Sequence, residues 1–276
     1  MHISHSRFEL GPKVQLNRFS QKKALAGVYL RSEEAYAEYF PHESLGDESV
    51  ETFLKTFPNP ENPFHAKILE NLKRPLPETP SLSFFNHQLW RPGQLVISPV
   101  VKYKLLHELD FDFFEVLEQN HRVRLDANGL FTVESFERFR EKLKEVDLSL
   151  IDYIEDPLSS RDWSSIGLVA AQDFVQGEPS SVKIYKPDRS VFPTTQSPVI
   201  FSGNMGTALS SLSAYDELIK HGNLKEFHGI LTPGLYQDED QLFFGNYAEG
   251  FAPDLQKVKA FYQTLHTRNW TSLCTI

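Results

Sequence analysis

Several features that define particular classes of protein are missing from this 276-residue sequence. It has a single cysteine, Cys274, so no intramolecular disulfide can form and no metal or thiol chemistry is expected to depend on cysteine. No apolar run reaches the ~18 residues that a membrane helix needs. The first residues also lack the basic and apolar pattern of a secretory signal. We therefore expect a cytoplasmic protein that does not act on a membrane.

Basic residues are fewer than acidic ones: the sequence has 28 Lys and Arg residues and 37 Asp and Glu residues, which gives a net charge of -9. The basic residues are scattered along the chain, so nucleic acid is not an expected partner. The length is sufficient for one large core, or for a barrel with a small accessory domain.

The first 60 residues differ in pattern from the remainder of the chain. β-branched and aromatic residues divided by polar turns predict three short strands, and two helical patterns follow on either side of a group of prolines. The predicted strands are residues 4–10, 24–31 and 35–40, and the predicted helices are residues 48–56 and 64–73. Residues 74–80 are a predicted linker. This predicts a small α+β capping domain over residues 1–75 and a second domain, with a C-terminal tail, over residues 76–276.

From Gln94 onward, apolar strands alternate with helical patterns. The predicted strands are residues 94–98, 100–106, 123–128, 151–157, 167–173, 181–187, 198–203 and 227–231, and the predicted helices are residues 111–119, 132–146 and 208–220. Apolar strands that alternate with helices predict a parallel sheet, and eight of them predict a closed, modified (β/α)8 (TIM-type) barrel. Because only Pro99 separates the first two strands, residues 81–90 are predicted to replace the first barrel helix.

Three of the predicted strands end in a carboxylate, namely Asp126, Glu155 and Asp173. Functional side chains of an α/β barrel lie at the carboxyl ends of its strands, so these three are expected to converge. Three oxygen ligands of this kind suit an octahedral Mg²⁺ ion. Each acid could instead serve in a turn, a solvated loop or a helix cap.

Lysines accompany these acids. Lys102 and Lys104 are two residues apart in one predicted strand, so their side chains point to the same face. Lys186 ends another apolar strand, in which Lys183 is the competing candidate. Lysines inside a barrel are costly unless they serve a polar site, and a lysine becomes a base near neutral pH when burial or nearby positive charge lowers its pKa. The pattern indicates a proton-transfer site, although each lysine could instead lie at the barrel rim or in a structural ion pair.

Taken in order, these residues resemble the signature of the enolase superfamily, in its muconate-lactonizing subgroup with a Lys-x-Lys motif. The resemblance covers residues 102–240 and comprises the segments KYK, LDAN, IEDP, AQD, KP, a Ser-Gly pair and TPGLYQDED. The superfamily uses a Lys or His base together with Mg²⁺. The resemblance implies that Asp126, Glu155 and Asp173 bind Mg²⁺, which would hold a substrate carboxylate, and that Asn128 would orient the ligands.

The same resemblance implies roles for the lysines. Lys104 would remove the proton next to the substrate carboxylate, and Lys186 would stabilise the enediolate or act as an acid from the opposite face. Lys102 would lower the pKa of Lys104. The residues implied to bind a second substrate carboxylate, through backbone N–H groups, are Ser202, Gly203 and Asn204.

The LTPGL segment after the last predicted strand resembles the ending of o-succinylbenzoate synthases. This implies a Mg²⁺-dependent hydro-lyase of menaquinone biosynthesis that dehydrates a succinyl-hydroxycyclohexadiene carboxylate. One alternative is a dipeptide or N-acylamino-acid epimerase that uses Lys104 and Lys186 as paired bases, with residues 238–240 as its D-x-D motif. Another is a barrel that binds a metal or an acidic ligand without catalysis.

Overall fold

The computed structural model describes residues 1–13, 24–33, 35–73, 82–173, 177–190, 192–193, 195–233, 235–236 and 241–276. The predicted linker and the acidic segment 238–240 lie outside these residues. The described helices and strands form an antiparallel unit near the N-terminus and a larger parallel unit. No helix in these ranges is long and apolar enough to cross a membrane.

The N-terminal unit is an antiparallel sheet covered by two helices. Its elements are β1 (His2–Leu10), β2 (Leu25–Arg31), β3 (Tyr36–Tyr39), α1 (Val50–Thr56) and α2 (Pro63–Asn71), which confirm the predicted strands and helices to within a few residues. Buried side chains such as Val28, Leu30 and Phe53 form its core. The sheet is completed by the strand Thr271–Thr275, which pairs with β1, so the C-terminal tail packs with this unit although the prediction assigned it to the second domain.

The parallel unit is built from nine short strands. They are β4 (Phe85–Asn86), β5 (Gln88–Trp90), β6 (Val100–Lys104), β7 (Arg122–Asp126), β8 (Ile151–Glu155), β9 (Ala170–Gln172), β10 (Val182–Tyr185), β11 (Val199–Phe201) and β12 (Phe227–His228). Strands β5 to β11 form one seven-stranded parallel sheet in chain order, and β12 pairs with β4. β4 and β5 are separated only by His87, and Gly229, next to β12, donates from its N–H to the Phe201 carbonyl of β11 at 2.8 Å. Through this bond the β4–β12 pair lies between the two edges of the curled seven-stranded sheet, and the carboxyl ends of the parallel strands face the same side.

Helices follow only some of these strands in the described part of the chain. α3 (Phe114–Glu118) follows β6, α4 (Val133–Leu143) follows β7, and α5 (Ala208–His221) follows β11. Beyond β12 come the hairpin β13 (Phe243–Asn246) and β14 (Gly250–Pro253) and then α6 (Leu255–His266). α4 buries Phe136, Phe139 and Leu143, the apolar face that the sequence predicted, against the sheet.

The prediction was wrong about the first barrel strand. Residues 94–98 form no strand, and the side chains of Leu95 and Ile97 are 78% and 55% exposed. Residues 81–90, predicted to replace a helix, instead contain β4 and β5. The apolar run at 94–98 lies in the connection to β6, where the Leu95 carbonyl accepts from the Gln88 side chain at 2.8 Å.

Candidate active site

The last residues of three neighbouring strands stand side by side. Lys104 of β6 lies opposite Asp126 of β7 in the strand register, and Asp126 lies opposite Glu155 of β8. Because parallel strands in register end at the same edge, the three side chains meet at the opening formed by the carboxyl ends. The sequence predicted that Asp126 and Glu155 lie together at the strand ends, and the strand register explains why they do.

A lysine ammonium lies between two of the carboxylates. The Lys102 Nζ is 3.0 Å from Asp126 Oδ2 and 2.9 and 2.8 Å from the two oxygens of Glu155. The carboxylate side chains are 2% and 1% exposed. The Lys104 Nζ is 3.4 Å from the same Asp126 oxygen. These four side chains form one buried network in which positive and negative charges balance.

The third predicted carboxylate belongs to a neighbouring pair. Asp173, directly after β9, forms an ion pair with Lys186, directly after β10, and both side chains are largely buried. The backbone N–H of Asp173 donates to Asp156 Oδ1 at 3.0 Å, and Asp156 has a φ of 44°, in the left-handed region. Asp156 was missed by the sequence analysis, although its position between Glu155 and Pro157 marks a tight turn. It anchors the backbone that carries Asp173.

The pKa values of the two lysines of the Lys-x-Lys motif shift in opposite directions. Burial lowers the pKa of Lys104, and the charges of Lys102 and Lys186 lower it further against the opposing effect of Asp126. Burial also acts on Lys102, but Asp126 and Glu155 outweigh it and raise its pKa well above the usual value. Lys102 is therefore a permanent cation, whereas Lys104 is the lysine suited to exchange a proton.

The pKa values of Glu155 and Asp126 also shift in opposite directions. Burial and the negative charge of Asp126 raise the pKa of Glu155 to about 8, even beside Lys102. Burial would raise the pKa of Asp126 as well, but the charges of Lys102 and Lys104 hold it at about 2. Asn128 supports Asp126, since its Nδ2 donates to Asp126 Oδ1 at 2.7 Å. An additional cation at this opening would stabilise the charged form of Glu155.

The three carboxylates have the chemistry of a divalent-cation site, but in this structure each of them is bound to a lysine. In the described ranges, no three His, Cys, Asp or Glu side chains are arranged so that they could hold a metal ion together. Lys102 binds Asp126 and Glu155, and Lys186 binds Asp173. Buried carboxylate oxygens at three adjacent strand ends are the ligands that Mg²⁺ prefers. They could bind the ion once these ammonium groups move aside.

The backbone N–H groups predicted to bind substrate after β11 make hydrogen bonds within the protein. The N–H of Ser202 donates to the Tyr185 carbonyl and that of Gly203 to the Gly229 carbonyl, both at 2.9 Å. The N–H of Asn204 donates to Ser210 Oγ at 3.3 Å. Strand pairing that continues beyond β11 uses the Ser202 and Gly203 groups, and a side chain of α5 accepts from Asn204, so all three N–H groups have acceptors within the protein.

A cavity of about 350 Å³ lies beside this segment. Its lining includes Gly203 and Met205 after β11, Ile230 after β12, and Tyr29 and Leu10 of the N-terminal sheet. None of the described lining residues is charged, and none belongs to the network of lysines and carboxylates. The cavity thus offers an uncharged space beside the segment after β11, separate from the charged network.

Comparison of the sequence with protein-family models and with curated proteins gives no match. Solved structures, in contrast, are similar over nearly the whole chain. An o-succinylbenzoate synthase from Thermosynechococcus elongatus BP-1, with Mg in its active site, has a TM-score of 0.63 and 14% identity over 96% of this chain and 100% of that chain. A muconate lactonizing enzyme from Pseudomonas fluorescens, complexed with muconolactone, has a TM-score of 0.63 and 13% identity over 94% and 98% of the two chains.

A dipeptide epimerase from Cytophaga hutchinsonii, complexed with Mg and the dipeptide D-Ala-L-Val, has a TM-score of 0.64 and 12% identity over 91% of this chain and 92% of that chain. At such identities the likeness establishes the fold alone. These are the enzyme classes that the sequence motifs indicated, so the predicted resemblance is confirmed: the chain has the fold of enolase-superfamily structures.

Proposed function

We propose that the chain is a modified (β/α)8-barrel enzyme of the enolase superfamily that acts as a cytoplasmic o-succinylbenzoate synthase in menaquinone biosynthesis. The observation that carries the proposal is Lys104, a buried lysine of lowered pKa, standing in register with Asp126 and Glu155 at the strand ends. The fold likeness to an o-succinylbenzoate synthase over the full length of that chain supports it. The substrate would be a succinyl-hydroxycyclohexadiene carboxylate.

Asp126, Glu155 and Asp173 would hold Mg²⁺. When bound, the ion supplies positive charge that favours the enediolate form of the substrate carboxylate over its ground state. Asn128 keeps Asp126 in a fixed orientation through its 2.7 Å hydrogen bond. Such supporting contacts to metal ligands contribute strongly to metal affinity.

The lysines carry out the proton chemistry. The neutral amine of Lys104 accepts the proton next to the carboxylate, and the electrons of that C–H bond move toward the carboxylate to give the enediolate. These electrons then form a carbon–carbon double bond in the ring as the neighbouring hydroxyl leaves. Lys104 returns the proton to the departing hydroxyl on the same side, so that one water molecule is released. The Lys186 ammonium, directly after β10, stabilises negative charge from the other side of the opening. Loss of water makes the ring aromatic, which drives the reaction.

The test follows the formation of o-succinylbenzoate in the presence of Mg²⁺. Lys104→Ala should reduce turnover by roughly 100–10,000-fold, the usual contribution of a general base. Lys142→Ala is the matched control, because Lys142 is a lysine on the solvent side of α4 with 58% of its side chain exposed. Undiminished turnover in the Lys104 variant would show that the assigned base is wrong.

A second candidate, a dipeptide or N-acylamino-acid epimerase, is favoured by two observations. The neighbouring cavity has no charged residue in its described lining, which suits a neutral substrate body better than a succinyl carboxylate. Lys104 and Lys186 also approach from different strands, as a two-base reaction requires. Incubation with a dipeptide in deuterated buffer separates the candidates, since an epimerase introduces deuterium at the α-carbon with inversion and a dehydratase does not.

A further inference from the structure

Three residues at or just beyond the end of β3 bind the loop that follows β11. They are Glu38, Phe40 and His42. Glu38 accepts a hydrogen bond from the Thr207 N–H at 3.0 Å and a second one from the Thr207 hydroxyl. The Phe40 carbonyl accepts from Asn204 Nδ2 at 3.0 Å, and His42 Nε2 lies 2.8 Å from the Asn204 carbonyl. Burial lowers the pKa of His42 to about 3, so its neutral ring donates this bond. The N-terminal unit therefore fixes the position of the loop and of the Asn204 side chain.

One atom of that side chain has no partner. Asn204 is 4% exposed, and its Oδ1 is buried without a hydrogen-bond donor in the described part of the chain. Its amide nitrogen is already bound to Phe40, so the side chain cannot flip without losing that bond. A buried polar atom without a partner costs stability and is uncommon in native proteins. Such an atom next to a candidate active site is suited to receive a donor from a ligand.

The strand register places this loop beside Lys186. Tyr185 lies opposite Phe201 in β10 and β11, so Lys186 and Ser202 are the next residues along the two strands, and Asn204 follows two residues later. On the other side, Met205 and Gly206, the next two residues, line the uncharged cavity. A substrate whose carboxylate lies at the lysines and whose body enters the cavity would pass Asn204.

We propose that Asn204 determines substrate specificity: its Oδ1 accepts a hydrogen bond from an N–H or O–H group within two bonds of the α-carbon of the carboxylate substrate. The proposal rests on the proposed function only in placing the substrate carboxylate at the lysines. It assigns the side-chain oxygen of Asn204, rather than its backbone N–H, as the recognition group. The selected substrates are hydroxy or amido carboxylates.

Binding of matched ligand pairs tests this without turnover. N-acetyl-L-leucine and 3-hydroxybutanoate carry the donor, and their N-methyl and O-methyl derivatives lack it. With Mg²⁺ present, calorimetry on the wild-type protein should show about tenfold tighter binding of the donor form in at least one pair, as expected for one buried hydrogen bond. Asn204→Leu, which is similar in size but has no acceptor, should bring the two affinities together.

Two further variants keep the result interpretable. Asn204→Asp retains the oxygen acceptor and should retain the preference, and Asn223→Leu, an exposed asparagine outside the cavity, should behave like the wild type. Equal ratios in the wild type and in Asn204→Leu, or no preference in either pair, would overturn the proposal. Preference without production of o-succinylbenzoate would overturn only the synthase assignment, and production without preference would overturn only the role of Asn204.

Discussion

Glu38→Gln is expected to stabilise the protein in alkaline solution and to change it little in acid. Glu38 is 4% exposed, and burial together with the negative charge of Asp188 raises the pKa of its carboxyl group from 4.5 to about 8. Between these two pH values the native protein keeps a proton that the unfolded chain has released. The unfolded state then binds fewer protons, so stability falls as pH rises through this window and becomes constant above it.

The loss of unfolding free energy follows from the difference between the two pKa values of Glu38. Each pH unit within it removes about 1.4 kcal/mol, so the change from about pH 5 to about pH 8 removes roughly 4 kcal/mol of unfolding free energy. Glutamine has no proton to lose and keeps an acceptor for the Thr207 N–H, which lies 3.0 Å from Glu38 Oε1. Across this range the variant should therefore lose roughly 4 kcal/mol less unfolding free energy than the wild type, which is the contribution of Glu38 alone.

Urea unfolding of the wild type and of Glu38→Gln at about pH 5, 6.5 and 8.5 measures the difference directly. Glu249→Gln, a change on the exposed turn between β13 and β14, is the matched control and should follow the wild type. If the free energies of wild type and Glu38→Gln ran parallel with pH, the buried carboxyl group would not be protonated in the native state and the reasoning would fail.

Three further predictions concern the network and the loop. Lys102→Met leaves a buried carboxylate pair without its ammonium and should lower the unfolding free energy by roughly 3–5 kcal/mol. Mg²⁺ should then raise the urea midpoint of this variant more than that of the wild type. An equal response of the two proteins would contradict ligation by Asp126. Asn128→Ala should weaken Mg²⁺ binding about 10–100-fold in calorimetric titration, because Asp126 loses its orienting donor. Gly206→Ala should destabilise the protein, since a Cβ there would overlap the Glu38 carboxylate, and this loss should shrink in a Glu38→Ala background.

The composition of the site was predictable because it is encoded locally. Asp126 and Glu155 are the last residues of their strands and Asp173 directly follows β9, so the position of each side chain follows from where the strand stops. Lys102 and Lys104 share a face because strand side chains alternate. The roles of these residues in metal binding and catalysis stay predictions until the variants are measured.

The first barrel strand was not predictable from local pattern. Residues 94–98 have the apolar composition of a strand, and residues 85–90 carry polar Asn86, His87 and Gln88 among their apolar neighbours. In the structure these three residues are buried, because distant parts of the chain supply hydrogen-bond partners such as the Leu231 carbonyl, which accepts from Asn86. Hydrophobic periodicity cannot indicate a strand whose polar side chains are satisfied by distant residues.

The charged residues at the strand ends could be identified from their neighbours along the chain. The protonation behaviour of each one depends on the folded arrangement. Lys104 has a lowered pKa and Lys102 a raised one because of which carboxylates surround each ammonium after folding. Likewise, Glu38 reaches Thr207 across 169 positions of sequence. Charge interactions and burial depend on distances in space, and these are set only when the parallel strands have paired and the N-terminal sheet packs against the loop after β11.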